Sequence, residues 1–336
     1  MSIDMLNVGL LIISLVVAFK IPFQLFLFSY AVLGPLHYIT EINWLEGKNY
    51  YVKNRSWIWL FAAAALLLAI PIFLRLPYFE NTKAPWLGQV QQFSYNWFFA
   101  VLFILFLFAI ALVYIKNNRT LGIFLVSVVA GTVLANKFDL IKFSYLTMFL
   151  PTIIHVYFFT WLFMVYGVIK NTNNVGIISI IVMALCPIVI WQSNIDPASY
   201  IVSQEVQETF LKSYFNYEDR NIAMALGAVG EKENFFLYSE IAIKIQIFVA
   251  FCYTYHYLNW FSKTTVIGWY KNINRKKLIL MTGTWAVSAG LYWYDYKIGF
   301  IALFTLSMIH VFFEFPLNII SVQGIFQGLF MRKKTA

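Results

Sequence analysis

Four histidines, His37, His155, His256 and His310, are the only ones in the 336-residue chain. Each lies inside a long apolar stretch, and none falls in a polar loop. Neutral imidazole is a ligand for iron, zinc, copper and nickel. An ionisable group at membrane depth is costly, so it faces a bundle interior and a partner. Glu41 follows His37 by four residues and Glu314 follows His310 by four, a spacing that puts both members of a pair on one helix face. A metal-bound imidazole gives its other N–H to a carboxylate or carbonyl. Glu41 and Glu314 therefore read as orienting carboxylates, serving the histidine on their own helix or one on a neighbour.

Aromatic residues crowd the same segments. Tyr38, Tyr157, Trp161, Tyr253, Tyr257 and Phe313 are the candidate lining of a substrate pocket, since rings beside a metal suit a flat, conjugated, lipid-dissolved molecule. Most of the 20% aromatic content has the plainer role of interfacial belts and lipid-facing surface. Haem-binding bundles use paired histidines, often two on one helix. Here each segment carries one, which argues against haem without removing it or zinc.

The elements that must position these groups follow from composition. The chain is 61% hydrophobic and 12% charged, where a water-soluble domain carries about 25% charge. With 16 Gly, 9 Pro and 2 Cys, disordered, collagen-like and disulfide-framework classes also fail. Cys186 and Cys252 both lie in apolar stretches. The expected class is all-α: a polytopic membrane bundle forming a single transmembrane domain over 1–336. A hydrocarbon core about 30 Å thick needs roughly 20 residues per helix. Ten spans are expected, near 5–20, 22–45, 57–75, 95–115, 120–136, 143–168, 175–192, 236–262, 278–294 and 299–319. A signal peptide at 5–20 would need a basic start and a small-residue cleavage site, and neither is present.

With the N-terminus inside, the inner loops hold 14 Lys and Arg and the short outer loops 6 (Lys20, Arg75, Lys83, Lys137, Lys142 and Lys297). Both termini are therefore expected in the cytoplasm, and the multi-pass chain in a bacterial-type cytoplasmic (inner) membrane. The net charge of +9 suits an inner surface facing anionic lipid, and no basic face with a nucleic-acid motif accompanies it. In this orientation the histidines sit on the second, sixth, eighth and tenth spans, all running from outside to inside. Allowing for tilt, all four fall between mid-membrane and the inner third, where they could close around one ion.

One substantial non-membrane segment remains, 193–235 between spans seven and eight, with seven of the fifteen acidic residues. Val202, Val206, Phe210 and Tyr214 recur every four residues, so an amphipathic helix opening at Asp196–Pro197 is expected there, in an extracytoplasmic connector or a lid.

At Gly34-Pro35-Leu36-His37-Tyr38, and in the placing of the other three histidines, the chain resembles the Brp/Blh family of bacterial membrane β-carotene 15,15'-dioxygenases. Tyr38 and Glu41 stand where that family has Gly and Asp, and its later paired histidines are missing. The resemblance implies a multi-span oxygenase that cleaves a β-carotene-like polyene to retinal with O2. It would use non-haem Fe(II) held by His37, His155, His256 and His310. Two other readings stay open. One is a lipid-modifying membrane transferase with a histidine base and a headgroup site near Lys263–Lys277, although it lacks an Asp-x-x-x-Asp motif. The other is a transporter whose histidines, Glu41, Glu314 and Lys244 form a proton pathway, although no internal repeat is visible. The sequence leaves the oligomeric state open.

Overall fold

The structure is a computed structural model that describes residues 3–80, 82, 84–138, 149–171, 174–230 and 233–330, without the side chains of 80, 85, 95 and 272. The first part of the sixth expected span (143–148) lies outside the described residues, as do Lys83, Lys142, Glu231, Lys232, Arg332, Lys333 and Lys334. Among the described residues there are helices and no strands. In chain order the main helices are α1 (Ile3–Lys20), α2 (Pro22–Gly47), α3 (Arg55–Phe73), α4 (Pro85–Tyr114), α5 (Asn118–Lys137), α6 (Leu150–Asn171) and α7 (Asn174–Gln192). Then come α8 (Gln204–Lys212), α9 (Phe215–Ala225), α10 (Glu240–Ser262), α11 (Arg275–Tyr294) and α12 (Tyr296–Phe330).

Nine of these, all but α8, α9 and α11, are long and apolar enough to cross a bilayer. The chain is a multi-pass, all-α membrane protein. The tenth expected span is present as α11, 20 residues long, whose first turn is Arg275-Lys276-Lys277. That basic turn and a run of Trp, Tyr and Gly keep it out of the nine. The expected fourth span lengthens at its start: Ala84 is extended, Pro85 opens the helix, and the chain stays helical to Tyr114.

The chain divides into two compact units: Met1–His37, Val156–Gly268 and Thr282–Phe300 in one, and Tyr38–His155, Trp269–Met281 and Ile301–Ala336 in the other. In the first, α10 packs on α1 and on the start of α2, and α7 packs on α1 and on the end of α6. In the second, α4 packs on α3 and α5. Polar ends are satisfied locally. The Ser239 hydroxyl caps α10 by accepting from Ala242 N–H, and the Asn117 side chain caps α5 by accepting from Arg119 and Thr120 N–H.

Two widened π segments interrupt this regularity, and each lies beside a histidine. Ser29–Leu33 precedes His37, and Leu150–Phe159 carries His155. The first has a visible cause. Pro35 has no N–H to give the Ala31 carbonyl, and the Gly34 N–H reaches back to Ser29 O instead of to a residue four before it. The extra residue re-aims everything downstream by about 100° on the helix. The second segment bends at Thr152 (φ −114°, ψ −105°), one residue after Pro151.

The connector differs from the single helix expected from Asp196. The Asp196 carboxylate accepts from Ala198 N–H and Ser199 O–H, which closes a 3-10 turn over Pro197–Tyr200. α8 begins only at Gln204, and Tyr214, in the left-handed region at φ +64°, separates it from α9. The pair docks through rings. Phe210 is fully buried and meets Phe23 edge-on at 5.1 Å, while Phe215 meets Phe26 at 4.8 Å. The expected periodicity served packing against α2.

Candidate functional site

The first unit holds one histidine pair. His256 sits in the most ring-rich stretch of α10, where Tyr255, Tyr257 and Trp260 are buried with it. Its Nε2 lies 3.0 Å from Nε2 of His37, and its Nδ1 lies 2.7 Å from the Thr160 hydroxyl. Thr160 opens the regular helical part of α6 and is 1% exposed. Tyr257 and Trp260 set their rings 5.2 and 5.5 Å from that of His37. A buried hydroxyl bond of 2.8 Å between Ser29 and Thr254 ties the π turn before His37 to the helix that carries His256.

The second unit holds the other pair. His310 Nε2 lies 3.2 Å from His155 Nε2, and His155 Nδ1 lies 3.1 Å from Glu314 Oε2. Tyr38 stacks on His310 with centroids 4.1 Å apart. All four of these side chains are at most 2% exposed. The carboxylate left open between two histidines stands beside the one on a different helix, His155, at ion-pair distance but without the alignment of a hydrogen bond.

The two pairs share a pattern. Nε2 faces Nε2, and the Nδ1 of one member points at an oxygen. With metal–nitrogen distances of about 2.0–2.1 Å, two imidazole nitrogens on one ion stand roughly 3 Å apart. Spacings of 3.0 and 3.2 Å match that. An oxygen that accepts from Nδ1–H would fix the tautomer that leaves Nε2 free to ligate. A buried set of histidines with this donor chemistry can hold a transition metal.

The predicted lining residues separate. Tyr38 and Tyr257 lie against the histidines. Tyr157 and Trp161 turn to α7, donating to the Met183 and Ile180 carbonyls at 3.0 and 3.2 Å. Tyr253 joins Phe26 and Tyr30 in the cluster that receives the connector, and Phe313 packs on Tyr50. Glu41 is buried on α2, one turn beyond His37. Lys244 is held by Glu240 at 2.6 Å and by the Trp191 carbonyl at 3.0 Å. Both cysteines are buried and free. The residue sequence reasoning missed is Thr160, and Trp260 was left out of the expected lining. Trp260 had a signal, four residues after His256, while a threonine within a span had none that set it apart.

Comparison with protein-family models, with curated proteins and with solved structures finds no match to this chain.

Proposed function

We propose that this protein is a non-haem iron oxygenase of the cytoplasmic membrane of a bacterial-type cell, acting on a lipid-soluble polyene of the β-carotene class with O2. The observation that carries this reading is the pair of buried Nε2–Nε2 contacts, each with an oxygen behind one Nδ1. Assigning His37, His155, His256 and His310 to one ion is carried over from the resemblance of the sequence to that oxygenase family.

The chain's own residues divide the work. The four imidazoles would hold the metal and leave positions open. Glu314, Glu41 and Thr160 would keep imidazole rings in a ligating tautomer. Tyr38, Tyr257 and Trp260 would seal the centre from water and offer faces for a conjugated chain to stack on. Iron bound there would supply O2 binding and activation beside the substrate's double bond. Apolar aldehyde products would leave into the lipid. A dry, aromatic, histidine-rich centre favours this reading over a proton pathway, and Lys244, tied to Glu240, supplies no further relay group.

The test is expression in a carotene-producing bacterium. Loss of orange colour with formation of retinal is expected, and His310→Gln should restore the colour. Persistent colour in cells shown to contain the wild-type protein would count against carotene as the substrate.

A further inference from the structure

The histidine pairs differ behind their Nδ1 atoms, and that difference points to a role for a residue in neither. His155 faces a carboxylate, Glu314. His256 faces a hydroxyl, that of Thr160, at 2.7 Å, with both groups buried. A hydroxyl both donates and accepts, so the contact alone is compatible with either tautomer of His256. The other side of the ring narrows the choice to two linked arrangements. His256 Nε2 stands 3.0 Å from His37 Nε2, so two lone pairs cannot face each other there without a cation between them. One nitrogen carries the hydrogen and the other the lone pair.

We propose that Thr160 is a positioning residue whose hydroxyl accepts the Nδ1–H of His256, so that Nε2 of His256 carries the lone pair already in the metal-free protein. His37 then donates its Nε2–H across the 3.0 Å contact. A metal arriving at His256 finds its ligand atom ready and must displace a proton only from His37. The two pairs differ in this respect. The Thr160 hydroxyl is within hydrogen-bond distance of His256 Nδ1, whereas Glu314 stands beside His155 Nδ1 without hydrogen-bond alignment. The assignment to His256 stands without the iron reading; the consequence for metal affinity rests on it.

The experiment is nitrogen-15 NMR of the detergent-solubilised, metal-free protein labelled at histidine, with His256 identified by loss of its signals in His256→Gln. The expected wild-type pattern is a protonated Nδ1 and an unprotonated Nε2. Thr160→Val, which keeps the shape and removes the hydroxyl, should mix the tautomers, and Thr160→Ser should restore the wild-type pattern. Titration with Zn(II) or Fe(II) should then show affinity lowered about 10- to 100-fold in Thr160→Val and unchanged in Thr160→Ser. A protonated Nε2 on wild-type His256, or an unchanged His256 pattern in Thr160→Val, would overturn the proposal. Misfolding of Thr160→Val does not shelter it, because the wild-type and Thr160→Ser patterns must agree. A wild-type protein with the expected tautomer that takes up neither metal would overturn the metal consequence and the iron reading, and leave the tautomer assignment standing.

Discussion

The four histidines are placed atom by atom: Nε2 toward Nε2 in each pair, and one Nδ1 of each pair toward an oxygen. Residue types were legible in the chain, because four histidines and two nearby carboxylates stand out where so little is ionisable. Partners were not. The i, i+4 spacing of His310 and Glu314 allows a contact within one helix, yet the carboxylate stands 3.1 Å from His155, on another helix. Thr160 escaped notice because hydroxyls are common in membrane helices, where they usually bond their own backbone. If Glu314 holds the His155 ring for ligation, Glu314→Gln should weaken metal binding about 10- to 100-fold while leaving the helices intact. Competition against a chelator, with circular dichroism as the control for folding, measures this. An unchanged affinity would show that the 3.1 Å contact does not serve the metal.

At the scale of elements, the helices were readable because apolar length alone sets them, and their irregularities were not. A π turn caused by Pro35 and a 3-10 turn closed by Asp196 each depend on where a single N–H goes, and hydrophobic periodicity is blind to that. The connector illustrates the consequence. Its four-residue repeat survives as ring packing of Phe210 on α2, although the helix breaks at Tyr214. Asp219 on α9 is 1% exposed, and its Oδ2 has no hydrogen-bond partner. Burial pushes its carboxyl well above the usual range, and the charge of neighbouring Glu218 adds to the push. A carboxyl whose folded pKa lies above its unfolded one contributes stability that is fully present below the unfolded pKa, about 3.9. That stability is lost as pH rises through the folded value. The connector should therefore be held more tightly at pH 4 than at pH 7. Asp219→Asn should raise amide-exchange protection of α8 and α9 several-fold at pH 7 and change little at pH 4. Equal protection of the two proteins at pH 7 would contradict a neutral, buried Asp219.

At the scale of the whole molecule, scarcity of charge gave the class, and the exceptions gave the site. The number of crossings depends on α11, whose basic first turn separates it from the nine helices that qualify by composition. α12 has 35 residues and, at about 1.5 Å per residue, is about 50 Å long, well beyond a hydrocarbon core of about 30 Å. Its histidine, His310, lies fourteen residues from its start. Metal content of the gently purified wild-type protein, read by elemental analysis, tests the central claim most directly. About one transition-metal ion per chain, iron in the native host, is the predicted result, falling to near zero in His37→Gln and in His310→Gln. Fewer than about 0.2 ions per chain in the wild type, or full occupancy in both variants, would contradict a histidine-held metal centre.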